Sequence, residues 1–318
     1  MECRETAGIE GQGPLYGGIN ETLVFMKYYI RNDTLFIRGS FSAASTGPCG
    51  GLHPVSTVLL YSPGQPDESH GDPCREVTCQ VTREGLSMDF FGILAGNDIR
   101  RLCILQYDYI TVFILASTGR DNQLDQITMV AYSGEGLAEN ALLQLIVTAT
   151  SAKAMALINA GLPVSAATDD HVIVVSDREP IHMEAGLQSD VGWRVYECIL
   201  FGIPHALEQD NSRTGPALYV YSRLGGGHFV LWRPGECPYY PCHFPGQRCD
   251  YCYCPFYPCR DETLGQWVNG SHGGTVWNCS RCTLLHTPEQ ADYLRRHPEA
   301  SLEELKKHEK IRVKKQGL

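Results

Sequence analysis

Eight of the chain's fourteen cysteines fall between Cys237 and Cys282, and no other feature limits its folding as much. They are spaced Cys237-x4-Cys242-x6-Cys249-x2-Cys252-x-Cys254-x4-Cys259-x19-Cys279-x2-Cys282. The residues between them are rich in Pro, Gly and aromatics, including Tyr239, Tyr240, Phe244, Tyr251, Tyr253, Phe256, Tyr257, Trp267 and Trp277. A stretch this short cannot bury enough apolar surface to fold on that alone, so a second source of free energy is required. The two C-x-x-C pairs, Cys249/Cys252 and Cys279/Cys282, bring thiolates together as zinc requires. Eight thiolates suffice for two tetrahedral sites, and His243, His272 and His286 are alternative donors. We expect two structural zinc ions. Iron–sulfur ligation also uses four thiolates, but the short loops and the lack of three successive C-x-x-C steps favour zinc.

Disulfides are the competing use of cysteine, and they belong to oxidising compartments. The N-terminal residues do not read as a basic region followed by an apolar signal stretch. Runs such as 110–116 are too short to span a bilayer. The expectation is a cytoplasmic protein without a membrane partner. The residues before 234 carry a net charge of -11 and the rest of the chain +1. An acidic chain of this kind is a poor general nucleic-acid binder.

With 318 residues, 43% of them hydrophobic, the chain has room for one large domain beside the cysteine-rich one. β-branched, apolar runs at 23–30, 34–38, 56–61, 101–107, 110–116 and 126–132 read as strands, with a hairpin at Arg31-Asn32-Asp33. Residues 136–160 read as a long helix stopped by Gly161. A strand at 172–176 and a helix at 190–209, interrupted near Gly202 and Pro204, follow. This order predicts an α+β (mixed α/β) domain with long helices on a mixed sheet, over residues 20–210. The small metal-stabilised domain is expected over 228–298. Residues 299–318 are expected as a basic helical tail. Thr287-Pro288-Glu289-Gln290 and Ser301-Leu302-Glu303-Glu304 mark two helix starts.

No P-loop, H-E-x-x-H or G-x-S-x-G motif occurs in the chain. His70, Asp72, Cys74 and Cys79 are ligand types close together in a predicted loop, and they read as incidental. More informative are polar residues that interrupt apolar stretches. Ser42, Ser45 and Thr46 lead into the turn Gly47-Pro48-Cys49-Gly50-Gly51. Thr148, Thr150 and Lys153 sit in the long helix. Thr168-Asp169-Asp170-His171 precedes a strand. Each has a structural use in local capping or packing. Together they supply hydroxyls, a carboxylate, an imidazole and a cation, with backbone donors at Gly50-Gly51. These are the groups that amide hydrolysis needs.

Two resemblances follow from longer phrases. Residues 228–298 resemble a known cysteine-rich small domain through Arg233-Pro234-Gly235-Glu236-Cys237-Pro238-Tyr239-Tyr240-Pro241-Cys242, through 252–259 and through Val276-Trp277-Asn278-Cys279-Ser280-Arg281-Cys282. This implies a metal-binding accessory module, with a protein partner as one use. Residues 20–209 resemble the adenosylcobinamide amidohydrolase family. The phrases are Phe41-Ser42-Ala43-Ala44-Ser45, Gly50-Gly51-Leu52, Phe91-Gly92-Ile93-Leu94-Ala95-Gly96, 146–154 and Ala166-Ala167-Thr168-Asp169-Asp170-His171. The resemblance implies hydrolysis of a corrinoid amide, with cobalt present only in the substrate. Thr168, Asp169, His171, Lys153 and Thr148 become the catalytic candidates. Ser42, Ser45, Gly50, Gly51 and Thr150 become the substrate-binding candidates. The chain departs from the family's usual residues at Ala95, Ser151 and Asp170. A corrinoid-binding or metal-handling protein without hydrolysis is the alternative reading.

Overall fold

The computed structural model describes residues 27–315 apart from 64–71, 97, 119–123, 165–169, 178, 209–214, 223–226, 233–239, 250, 252–253, 257–258, 270–274 and 298–299. Its large sheet is built from β1 (Lys27–Arg31), β2 (Thr34–Ser45), β3 (Gly51–Leu52), β4 (Val55–Tyr61) and β5 (Phe90–Leu94). It continues with β6 (Cys103–Tyr107), β7 (Ile110–Thr118), β8 (Leu124–Ser133), β10 (His171–Asp177), β12 (Ala217–Ser222) and β13 (His228–Leu231). β9 (Gly136–Leu137) and β11 (Pro180–His182) form a separate short pair. The main order is β13-β12-β6-β7-β8-β10-β2-β4-β5, with β1 and β3 added on β2.

Three neighbouring pairs are parallel: β4/β5, β8/β10 and β6/β12. Parallel neighbours need a crossover, and three helices lie in the three connecting segments. They are α1 (Pro73–Arg83), α2 (Glu139–Asn159) and α3 (Asp190–Leu207). The remaining pairs along the main order are antiparallel, so the sheet is mixed as expected.

Strand side chains alternate between two cores. On β7, Val112, Ile114 and Ala116 join the core beneath α2 and α3, while Phe113 and Leu115 join the opposite one. On β10, Val172 and Val174 face the helices, and Ile173 and Val175 face away. The second core unites Phe91 and Ile93 of β5 with Phe113 and Leu115 of β7, five strands away in the sheet order. The sheet therefore curls round that core. α1 covers the outer side of the far strands through Val77 and Val81 against Phe36 and Leu59.

The hairpin at Asn32-Asp33 forms as read, with both residues at positive φ (48° and 55°), the geometry of a tight β-hairpin turn. α2 ends as predicted, with Gly161 at φ 71°. α3 is unbroken through Gly202 and Pro204, contrary to expectation. A Cβ at Gly202 would come within 2.7 Å of Leu105 and Ile114, so the glycine lets the helix lie close on the sheet. Pro204 stands in the last turn, where the lost N–H costs one bond and ends little helix.

Three further readings change. The segment read as a loop around Asp72–Cys79 is α1: Asp72 caps it by accepting from the Cys74 N–H at 3.1 Å. Cys74 is disulfide-bonded to Cys49, so it is no free metal donor. The sheet runs past residue 210, because β12 and β13 extend it to Leu231. The C-terminal helix is no detached tail. α5 (Leu302–Lys315) buries Leu305 completely, and Lys306 pairs with Asp261. Its Ser301–Glu304 capping box forms in both directions. At α4 (Pro288–Arg296), Thr287 makes no side-chain cap, and its hydroxyl donates to Leu284 O instead. The small domain also holds the hairpin β14 (Gln266–Asn269) and β15 (Thr275–Asn278).

Asp177, at the end of β10, carries a testable cost. Burial pushes its carboxyl up to about 6, against the Tyr132 hydroxyl 3.3 Å away and the charge of Arg260. The folded value exceeds the unfolded one near 3.9, so the fold binds this proton more tightly. The cost of ionising Asp177 therefore grows as pH rises from about 4 to about 6, and is complete above that. After discounting for solvent screening, Asp177→Asn should add about 1–2 kcal/mol near pH 7.5 and about a third of that near pH 4.5. Urea unfolding at both pH values checks this; an equal gain at both would contradict the assignment.

Candidate active site

The candidate groups meet where β10 begins. Lys153 is buried on α2, in a helix with no other cation. Its amine pairs with the Asp170 carboxylate, and the two side chains are only 9% and 16% exposed. Asp170 also accepts the Ile127 N–H at 2.9 Å, which fixes it against the start of β8. A buried ammonium without a carboxylate would be strongly destabilising, so this pair holds helix, strand and connecting segment together. His171, half-buried, follows as the first residue of β10, opposite Thr128.

The glycine-rich turn is fastened to the same place. Thr46 Oγ1 accepts the Val172 N–H at 2.9 Å, and the Thr46 N–H donates to Val172 O at 3.0 Å. Within the turn, Ser45 Oγ accepts from the Gly47 N–H at 3.1 Å. The Gly50 N–H donates to Gly47 O at 2.8 Å, so this expected oxyanion donor is used inside the turn. A Cβ at residue 50 would lie 2.3 Å from Ser45 O, which explains the glycine sterically. Gly51 has φ 139° and pairs with Ser45 across β3 and β2. The Cys49–Cys74 bond ties this turn to the first turn of α1.

A third side is formed by Gln126. Its Oε1 accepts the Gly96 N–H at 3.1 Å, and its Nε2 donates to Leu94 O at 3.4 Å. Gln126 thus joins the start of β8 to the segment after β5, across the opening of the curled sheet. Thr128, on the same strand face, is fully buried and its hydroxyl has no partner among the described residues.

Not every nominated residue comes to this place. Thr148 is buried, but its hydroxyl donates to Ala185 O at 3.1 Å, joining α2 to the segment before α3. Thr150 is exposed and donates to Ile146 O at 2.8 Å, within its own helix. Ser42 lies opposite Ser176, further along β2. Thr168 and Asp169 lie outside the described residues. Sequence reasoning nominates neither Asp170 nor Gln126. For Asp170 a signal exists: a lone lysine in an apolar helix needs a carboxylate partner.

The cysteines divide into two groups. Cys254, Cys259, Cys279 and Cys282 line one cavity of about 180 Å³ with Phe256, Leu284 and Leu285. Burial, and the neighbouring thiols, push Cys254 up to about 12 and raise Cys279. Separately, Gln247 Nε2 donates to both Cys242 Sγ and Cys249 Sγ at 3.2 Å. Cys237 and Cys252 lie outside the described residues. Among the described residues, no three His, Cys, Asp or Glu side chains converge closely enough to hold an ion as they stand. The donor chemistry of the four-thiol cavity nevertheless suits zinc.

Comparison with known proteins gives two family matches. Residues 26–215 match the adenosylcobinamide amidohydrolase model, and residues 228–309 match the cysteine-rich small domain. A protein of Methanosarcina mazei named adenosylcobinamide amidohydrolase is 30% identical over 203 residues, which are 58% of this chain and 98% of that one. An uncharacterised protein of Methanocaldococcus jannaschii is 50% identical over 56 residues, 18% of this chain and 47% of that one. A Methanothermobacter thermautotrophicus protein named probable cobalt-factor III C(17)-methyltransferase is 37% identical over 62 residues, 19% of this chain and 17% of that one. With the first family model covering more than half the chain, this protein belongs to the adenosylcobinamide amidohydrolase family and is a hydrolase acting on an amide.

Proposed function

We propose that this chain hydrolyses the amide joining aminopropanol to the corrin side chain of adenosylcobinamide, giving adenosylcobyric acid. What supports this most is the buried Lys153–Asp170 pair, adjoining Thr168-Asp169 in sequence and joined through Val172 to the Thr46 turn. Asp170 is occupied by Lys153 and the Ile127 N–H, so it positions rather than accepts a proton. Asp169 is then the general base. It takes a proton from water as the water oxygen bonds to the amide carbon. The carbon–nitrogen bond breaks, and the leaving amine takes up a proton to depart as aminopropanol. Thr168 and His171 orient the amide. Ser45 and the Gly50-Gly51 turn contact the corrinoid, whose cobalt is substrate.

We assign zinc a structural role in the small domain. Cys254, Cys259, Cys279 and Cys282 form one set, and Cys237, Cys242, Cys249 and Cys252 the other. No step of the reaction involves it.

The rival reading is corrinoid binding without hydrolysis. Incubating pure protein with adenosylcobinamide separates the two. Hydrolysis releases aminopropanol and adenosylcobyric acid in equal amounts by mass spectrometry. Stoichiometric corrinoid binding without either product would select the rival.

A further inference from the structure

The outward face of α2 is built to be covered. This helix is the one described helix long and apolar enough to cross a membrane, yet half of that stretch is already buried in the protein, as in a core helix. The other half is unusual. Leu143, Val147, Met155 and Ile158 are 50, 65, 42 and 57% exposed. Between them, Thr150 and Ser151 are also exposed and Ala154 is partly so. No charged side chain interrupts the outward face from Leu143 to Ile158, because Lys153 turns inward to Asp170. Ile181 and Met183, 65 and 60% exposed, continue the patch beside the first turn of α2, where Asn140 donates to Met183 O at 2.7 Å.

We infer that this face pairs with the same face of a second copy, the two α2 helices running antiparallel about a two-fold axis between Thr150 and Ser151. Three observations carry this. First, the stripe is symmetric along its length. Leu143 and Ile158, Val147 and Ala154, and Thr150 and Ser151 form pairs centred on one point. In an antiparallel two-fold pairing each member therefore meets the other member on the partner, as an isologous interface demands. Short side chains, Thr150, Ser151 and Ala154, stand at and beside the centre, where two helices must approach closest.

Second, the two hydroxyls at that centre are already satisfied. Thr150 donates to Ile146 O and Ser151 to Val147 O, each at 2.8 Å. Burying them strands no donor. Third, charge and area fit a second copy. The chain carries -10 overall, and a face without charged side chains brings two copies together with no like charges in direct contact. The six large apolar side chains amount to roughly 500 Å², at the upper end of what a monomer leaves exposed. With the small residues between them they approach the roughly 800 Å² that each partner contributes to a stable interface.

The test uses the full chain in sedimentation equilibrium, with circular dichroism confirming the fold of each variant. The wild type should be a dimer at ~50 µM. Val147→Glu and Ala154→Lys should each be monomeric, since either places charge in an apolar contact. Mixed in equal amounts, the two variants should form a heterodimer, because the introduced carboxylate of one copy faces the introduced ammonium of the other only in the proposed register. A monomeric wild type would overturn the proposal, and its sedimenting with lipid vesicles instead would make the face a membrane contact. A dimer that survives both substitutions, or monomeric variants that fail to pair on mixing, would overturn it equally.

Discussion

Asp169→Asn should lower turnover of adenosylcobinamide by ~10²-fold or more, with circular dichroism and unfolding temperature unchanged. The asparagine keeps the shape and removes the basic oxygen. A structural Asp169 gives the opposite pattern, a shifted unfolding temperature with turnover per folded molecule intact. His171 or the Ser45 and Thr46 hydroxyls would then be the next candidates. Lys153 needs a paired design, because Lys153→Met leaves the Asp170 carboxylate buried and uncompensated, a loss of about 3–5 kcal/mol. The double change Lys153→Met with Asp170→Asn removes both charges, keeps an acceptor for the Ile127 N–H and should restore most of that stability. If the pair positions Thr168 and Asp169, turnover stays low in the double variant although the fold has recovered. Recovery of both together would reduce the pair to a fold-holding contact.

The second large effect concerns metal. Protein purified without chelators should contain about two zinc ions per chain. Replacing Cys254 and Cys282 by Ser should remove about one of them and unfold the small domain. The large domain should remain folded, because among the described residues its two main cores contain none beyond Leu231. The domains can be separated only after that residue: a cut at 209 would strip β12 and β13 from the sheet edge. Stoichiometric iron with a thiolate-to-iron absorption would replace zinc in this account, and absence of any metal would remove both sites.

The elements legible in the sequence are those with one strong period or stop. α2 and its glycine end, the Asn32-Asp33 hairpin and the alternating strands β7, β8 and β10 are of this kind. α1 is hidden because its eleven residues are mostly polar, and only Val77, Gln80 and Val81 are buried. Its Asp72 cap and Pro73 are visible, but two cysteines beside them look like ligands. β12 and β13 are hidden because a Gly-rich stretch beside them looks like a linker. At the site, Lys153 is recognisable as a cation out of place in an apolar helix. Thr148 and Thr150 are equally conspicuous, yet their positions round the helix point them elsewhere, to Ala185 O and to the helix's own backbone. The partnership of Asp170 with Ile127 comes from the parallel pairing of β10 with β8, and that of Gln126 with Gly96 from the curl of the sheet. Those contacts join residues 43 and 30 positions apart, and no local pattern encodes them.

The central claim is that water cleaves a corrinoid amide at this site. The most direct measurement is the reaction of pure full-length protein with adenosylcobinamide in ¹⁸O-labelled water, followed by mass spectrometry. Adenosylcobyric acid should carry one ¹⁸O in its new carboxylate beside an equal amount of unlabelled aminopropanol, with both products lost in Asp169→Asn. Bound corrinoid recovered intact and unlabelled, with no aminopropanol released, would contradict it.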